Sequence, residues 1–147
     1  FLHRRFSAQR DIVHSNGGIV QDRTIYEDAE IFARNLHKTG RLDNRDWETY
    51  KDLFTIMAGY LRQPDLIIYL RASTDTLQTR IHSRGREYEN TIDPEYLHQL
   101  NVRYDQWTAG LKEIPVMIIE TDQFNIFNDT DQFNSILEDV KKVMESS

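Results

Sequence analysis

At 147 residues the chain has room for one domain-sized core, and 39% hydrophobic residues without a low-complexity tract place it among globular proteins. A net charge of -6 argues against a general binder of nucleic acid or of a membrane surface, since both need a basic face for phosphate. With no cysteine, a disulfide framework and a thiolate metal site are excluded, and a reducing, cytoplasmic setting fits.

Phe1, Leu2, Phe6 and Ile12-Val13 fall at helical spacing with Arg4, Arg5 and Arg10 between them, which predicts a helix to about His14. Asn16-Gly17-Gly18 stops it. The helix starts without a cap, leaving its first backbone N-H groups unsatisfied, so the sequence is expected to be cut at its front. Ile19 to Asp22 then reads as a short strand that ends in an acid-base pair, Asp22-Arg23. Thr24 to His37 follows as a helix with Ile25, Ala29, Phe32, Ala33 and Leu36 along one stripe, closed by Gly40. Asp43 or Asn44 caps a third helix to about Leu61, with Trp47, Tyr50, Leu53, Phe54, Met57 and Tyr60 inward.

Asp65 to Leu70 is a near-continuous apolar run, the mark of a parallel strand covered on both faces. Ser73 or Thr74 caps a helix from about Asp75 that runs into Arg80–Glu89. Asp93-Pro94 is an N-cap followed by proline at the first helical position, and opens a helix to about Leu111. Pro115 to Glu120 is a further strand, and Thr130 to Met144 a closing amphipathic helix. Strands alternating with helices predict an α/β fold with a parallel sheet and right-handed crossovers. No repeat or linker divides the chain, and no apolar run approaches the roughly 18 residues of a membrane helix.

Two stretches carry chemistry. In open α/β sheets ligands sit beyond the carboxyl ends of strands, where Asp22-Arg23 is expected, although a solvated turn would use the same residues. Arg80 and Arg84 lie four apart on one helical face, where like charges repel, and Arg86 follows a glycine. That arrangement suits an anion such as a polyphosphate; it reads equally as a basic solvent face partly neutralised by Glu87 and Glu89. The two stretches together favour a phosphoryl-transfer site.

The strings VQDRTIYEDAEIFARNL, DLIIYLRAS, RIHSRGREYE and YLHQLNVRYDQW, in this order, resemble the deoxynucleoside kinase family, most closely its bacterial deoxyadenosine and deoxyguanosine kinases. The resemblance implies a P-loop nucleoside kinase-like parallel sheet with helices on both faces, with ATP and Mg²⁺ as cofactors. It makes Arg23 and Asp22 catalytic, Arg23 beside the substrate 5′-oxygen and Asp22 near the Mg²⁺ side, through water. Thr24 stands where the family usually has serine. Arg5 and Asp28 match the pair that contacts the nucleobase edge, where an interhelical salt bridge is the plainer role. Arg80, Arg84 and Arg86 match the lid over the ATP phosphates, a lid spanning about residues 80–92, and Glu89 matches the glutamate that binds the sugar 3′-hydroxyl. No other metal ligand is expected.

The resemblance also marks what these residues lack. No GxxxxGKS/T loop occurs in the chain, and the family's catalytic acid has no counterpart. The residues are therefore expected to be the carboxyl-terminal part of one domain, incomplete by its first two strands, and inactive alone. In the family's strand order, 2-3-1-4-5, the strands here would be the third, fourth and fifth. The implied function is phosphorylation of a purine deoxynucleoside, with deoxyadenosine favoured. The alternatives are a thymidylate-kinase-like monophosphate kinase and a non-catalytic binding or dimerisation module. The resemblance also implies a homodimer through the helices from Thr24 to Leu61.

Overall fold

Side-chain caps set most of the helix starts. The computed structural model describes residues 2–12, 17–86, 92–124 and 128–145. The backbone forms two units, Phe1–Gln63 and Pro64–Ser147.

In the first unit, α1 spans Leu2–Ile12. Thr24 caps α2, Ile25–Glu27, through a reciprocal box: its hydroxyl accepts the Tyr26 N-H at 3.2 Å, and the Glu27 carboxylate accepts the Thr24 N-H at 2.8 Å. The chain then passes without a break through a π-helical segment, Asp28–Ala33, into α3, Arg34–Lys38. Sequence periodicity predicts one regular helix here. The wider π turn adds a residue, and each residue advances an α-helix by about 100°, so the inward stripe is rephased beyond it. Ile25, Ala29 and Ala33 are buried as expected, but Asn35, 1% exposed, occupies the inward position in place of Leu36 at 37%.

Asp43 accepts the Asp46 N-H at 2.8 Å and caps α4, Asn44–Ala58. The expectation of an inward face on α4 is only partly met, because no α4 residue is fully buried. Trp47, Tyr50, Phe54 and Met57 are half-buried, whereas Leu53 and Tyr60 are exposed. The packing available in this unit covers one side of the helix only.

The expected strand at Ile19–Asp22 does not form. Residues 18–21 have no regular structure and Asp22-Arg23 is a bend. Val20 is 98% exposed. A strand exists by virtue of its ladder, and among the described residues this segment has no backbone partner.

The second unit carries the sheet. β1, Ile67–Arg71, and β2, Val116–Glu120, pair in parallel with Ile67 against Val116 and Arg71 against Glu120. Between them lie α5, Thr74–Ser83, capped by Ser73, and α6, Pro94–Gly110, capped by Asp93 with proline in its first turn. α7, Thr130–Glu145, follows β2. These elements match the α/β expectation closely. Tyr69 is buried and stacks on Tyr104 of α6 with ring centroids 5.6 Å apart, so one face of β1 is covered. On the other, Ile68 and Leu70 are exposed, which corrects the expectation of cover on both faces.

Candidate active site

Arg5 and Gln9 lie one helical turn apart on α1 and therefore share a face. Arg5 Nη1 donates to the Asp22 backbone carbonyl at 3.1 Å, and Arg5 Nε stands 3.4 Å from Asp28 Oδ2. The latter is a charge contact without hydrogen-bond geometry, so that buried Asp28 oxygen has no hydrogen-bond partner among the described residues. Gln9, itself buried, accepts the Ile25 N-H through Oε1 at 3.2 Å. The Arg5–Asp28 pairing suggested by the sequence is thus formed, and it reaches the Asp22 backbone as well.

Arg23 has a φ of 61°, the one non-glycine residue of the described chain in the left-handed region. Its guanidinium carbon sits 5.0 Å from the centroid of the Phe32 ring, which belongs to the π segment. Asp22 and Arg23 are both solvent-exposed. Arg5, Asp22, Arg23 and Asp28 are therefore held together by α1, one bend and one π segment. Burial first, and the Asp28 charge second, push the Tyr50 phenol of α4 up to about 12.

In the second unit the three arginines part company. Arg80 Nη1 donates to Thr121 Oγ1 at 3.0 Å, and its Nη2 donates to the Thr121 carbonyl and, at 3.3 Å, to that of Phe124. Its guanidinium thus secures the turn after β2. Arg84 is the C-cap of α5, and Arg86 follows Gly85, whose φ of 65° suits a residue without a Cβ. Both arginines are exposed. Glu89 and the rest of the lid through residue 91 lie outside the described residues. His82, for which the sequence offers no partner, donates from Nδ1 to the Gln78 carbonyl at 2.7 Å.

A cavity of about 390 Å³ opens at the carboxyl ends of β1 and β2, lined by Tyr69, Arg71, Ser73, Asn101 and Asp122 among others. Arg71 donates to Glu120 and holds its carboxyl below the usual range. The Ser73 N-H, 2.8 Å from Asp122 Oδ1, does the same for Asp122. Among the described residues no group of three or more His, Asp or Glu side chains is placed to hold a metal ion.

Sequence reasoning missed Gln9, because a lone glutamine between apolar and basic residues carries no periodic or motif signal. It also missed Thr121, whose bond to Arg80 spans 41 residues.

Comparison with known proteins follows the same lines. The deoxynucleoside kinase family matches residues 1–145. Deoxyadenosine/deoxycytidine kinase of Bacillus subtilis is 34% identical over 146 residues, covering 98% of this chain and 67% of that protein. Deoxyadenosine kinase of Dictyostelium discoideum is 40% identical over 124 residues, covering 84% of this chain but only 50% of its own length. The structure of deoxyadenosine kinase from M. mycoides with bound dATP superposes with a TM-score of 0.74 at 26% identity, covering 93% of this chain and 72% of that one. With the family matched from residue 1 to residue 145 and a shared α/β fold in its solved relatives, this chain belongs to the deoxynucleoside kinase family.

Proposed function

We propose that the protein carrying this chain transfers the γ-phosphoryl group of ATP to the 5′-hydroxyl of a deoxynucleoside, deoxyadenosine first, in cytoplasmic nucleotide salvage. The observation that carries the reading is the buried Asp28 oxygen without a hydrogen-bond partner among the described residues, set 3.4 Å from Arg5 and on the same constellation as Asp22 and Arg23. An unsatisfied buried acceptor costs about 1–3 kcal/mol, which a turn of the Asp28 carboxylate toward a ligand N-H would recover. The adenine edge offers that donor at its 6-amino group beside a ring nitrogen that accepts, matching an Asp-Arg pair, and cytosine offers a 4-amino group. Arg23 would stabilise the charge that develops on the transferred phosphoryl group. Arg84 and Arg86, with Arg80 anchoring their base, would meet the triphosphate, and Glu89 the sugar 3′-hydroxyl. Mg²⁺ would arrive with the triphosphate and meet Asp22 through water. Exposed Leu53, Ile56 and Tyr60 on and beside α4 support a homodimer through that helix.

The test is ATP-dependent phosphorylation of deoxyadenosine, deoxyguanosine, deoxycytidine and their monophosphates. Formation of deoxyadenosine monophosphate is expected, and Arg23→Ala should lower kcat by about 100-fold or more. Turnover of monophosphate acceptors alone, or an Arg23→Ala protein with unaltered kcat, would overturn the reading.

A further inference from the structure

We propose that Gln9 is a positioning residue, whose side-chain oxygen fixes the backbone turn that presents Asp22 and Arg23. Arg23 holds a left-handed backbone, a conformation that L-residues keep only where the surroundings over-determine it. Two bonds from one face of α1 supply that determination. Arg5 takes the carbonyl of Asp22, the residue before Arg23, at 3.1 Å, and Gln9 takes the N-H of Ile25, two residues after it, at 3.2 Å. The turn is thus gripped on both sides by side chains one helical turn apart.

The neighbouring donors show why Gln9 matters. The N-H groups of Thr24 and Tyr26 are satisfied locally, by Glu27 and by the Thr24 hydroxyl. Those bonds travel with the turn and leave its placement open. The Ile25 N-H is bonded to a residue 16 positions away, so it alone of the three ties the start of α2 to α1. Gln9 is 5% exposed and Ile25 fully buried, and water cannot substitute for the lost acceptor without opening the packing. Gln9 touches neither Asp22 nor Arg23 by any bond of its own; its effect runs through the backbone.

The kinetic part of the test rests on the kinase reading above, and a second measurement is independent of it. Gln9→Met keeps the length of the side chain and removes the acceptor, while Gln9→Glu keeps an acceptor oxygen. In Gln9→Met the Ile25 amide should exchange with solvent about tenfold faster or more. Its kcat should fall about tenfold or more with the deoxyadenosine KM within about threefold, the pattern of a lost transition-state alignment. Gln9→Glu should restore both. If Gln9→Met does not accumulate as folded protein, Gln9→Asn, which is one methylene too short, carries the same comparison. Unchanged Ile25 exchange, or lost protection with unchanged kcat, or equal loss in the Met and Glu variants, would overturn the assignment. If the native protein phosphorylates no deoxynucleoside, the functional reading falls, and Ile25 exchange in the Met and Glu variants decides the role of Gln9 by itself.

Discussion

Arg23 occupies a backbone position that glycine would fill more comfortably. The left-handed region costs an L-residue about 1–2 kcal/mol, because its Cβ crowds the following carbonyl. The contact with Phe32 returns about 0.5–1 kcal/mol of that at an exposed site. The strain is therefore incompletely offset by anything the side chain does for the fold, which is the pattern expected where a residue is kept for its chemistry. Substitution separates the terms. Arg23→Ala loses the ring contact and keeps the strain; Arg23→Gly loses the contact and sheds the strain, at the cost of a more flexible unfolded chain. Urea denaturation should find the glycine variant more stable than the alanine variant by about 0.5–1 kcal/mol. On the proposed function both variants should lose kcat by about 100-fold or more. An alanine variant equal to or more stable than glycine would mean that the turn relaxes when the guanidinium is removed, and that Arg23 itself imposes the strain.

The elements divide into those that announce themselves and those that depend on partners far along the chain. Caps are local, so helix starts at Thr24, at Asp43 or Asn44, at Ser73 or Thr74 and at Asp93 were legible, and β2 lies within the predicted Pro115–Glu120 run. The strand at Ile19–Asp22 was legible as an apolar run, but an apolar run becomes a strand only when another backbone lies alongside. The π segment was illegible for a related reason. Its turn is set by what packs around Asp28–Ala33, and no residue pattern within it distinguishes five-residue from four-residue bonding. In the site, Arg5 with Asp28 could be matched from sequence, whereas Gln9 and the anchoring of Arg80 by Thr121 needed the fold.

One element-level coupling can be checked by titration. Tyr50 of α4 is raised from the ordinary phenol value of 10 to about 12, by burial first and by the charge of Asp28 second. A phenol raised in the folded state favours its neutral form there. Its contribution to stability is complete below pH 10 and is lost as pH climbs from 10 toward 12. Phenolate absorbance, taken as the difference between the native protein and Tyr50→Phe, should therefore show a late titration. Asp28→Asn should bring that titration down while leaving it above 10, because the larger cause, burial, remains. An unmoved titration in Asp28→Asn would remove the electrostatic link between α4 and the π segment.

At the scale of the whole chain, the candidate groups among the described residues fall into two sets that coincide with the two structural units. Phe1–Gln63 carries Arg5, Asp22, Arg23 and Asp28, and Pro64–Ser147 carries Arg80, Arg84 and Arg86. On the proposed function the first set addresses the deoxynucleoside and the transferred group, and the second addresses the triphosphate, so kinetic defects in these two sets should partition by unit, Glu89 with its proposed sugar contact standing outside the second set. Asp28→Ala should raise the KM for deoxyadenosine and leave that for ATP near its native value. Arg84→Ala and Arg86→Ala should do the reverse. The loss of a hydrogen bond to a charged group is worth about 1.5–3 kcal/mol, which corresponds to roughly a 10- to 150-fold rise in the affected constant. Arg80 should behave differently from its two companions. Its guanidinium is committed to Thr121 and Phe124, so Arg80→Ala should lower the melting temperature as well as weaken ATP. Arg84→Ala and Arg86→Ala, at exposed positions, should melt close to the native protein. Steady-state kinetics with each substrate varied in turn, beside thermal melts of the same variants, decide the matter. A rise in the deoxyadenosine constant alone on loss of Arg84 or Arg86 would remove the second unit from the triphosphate site.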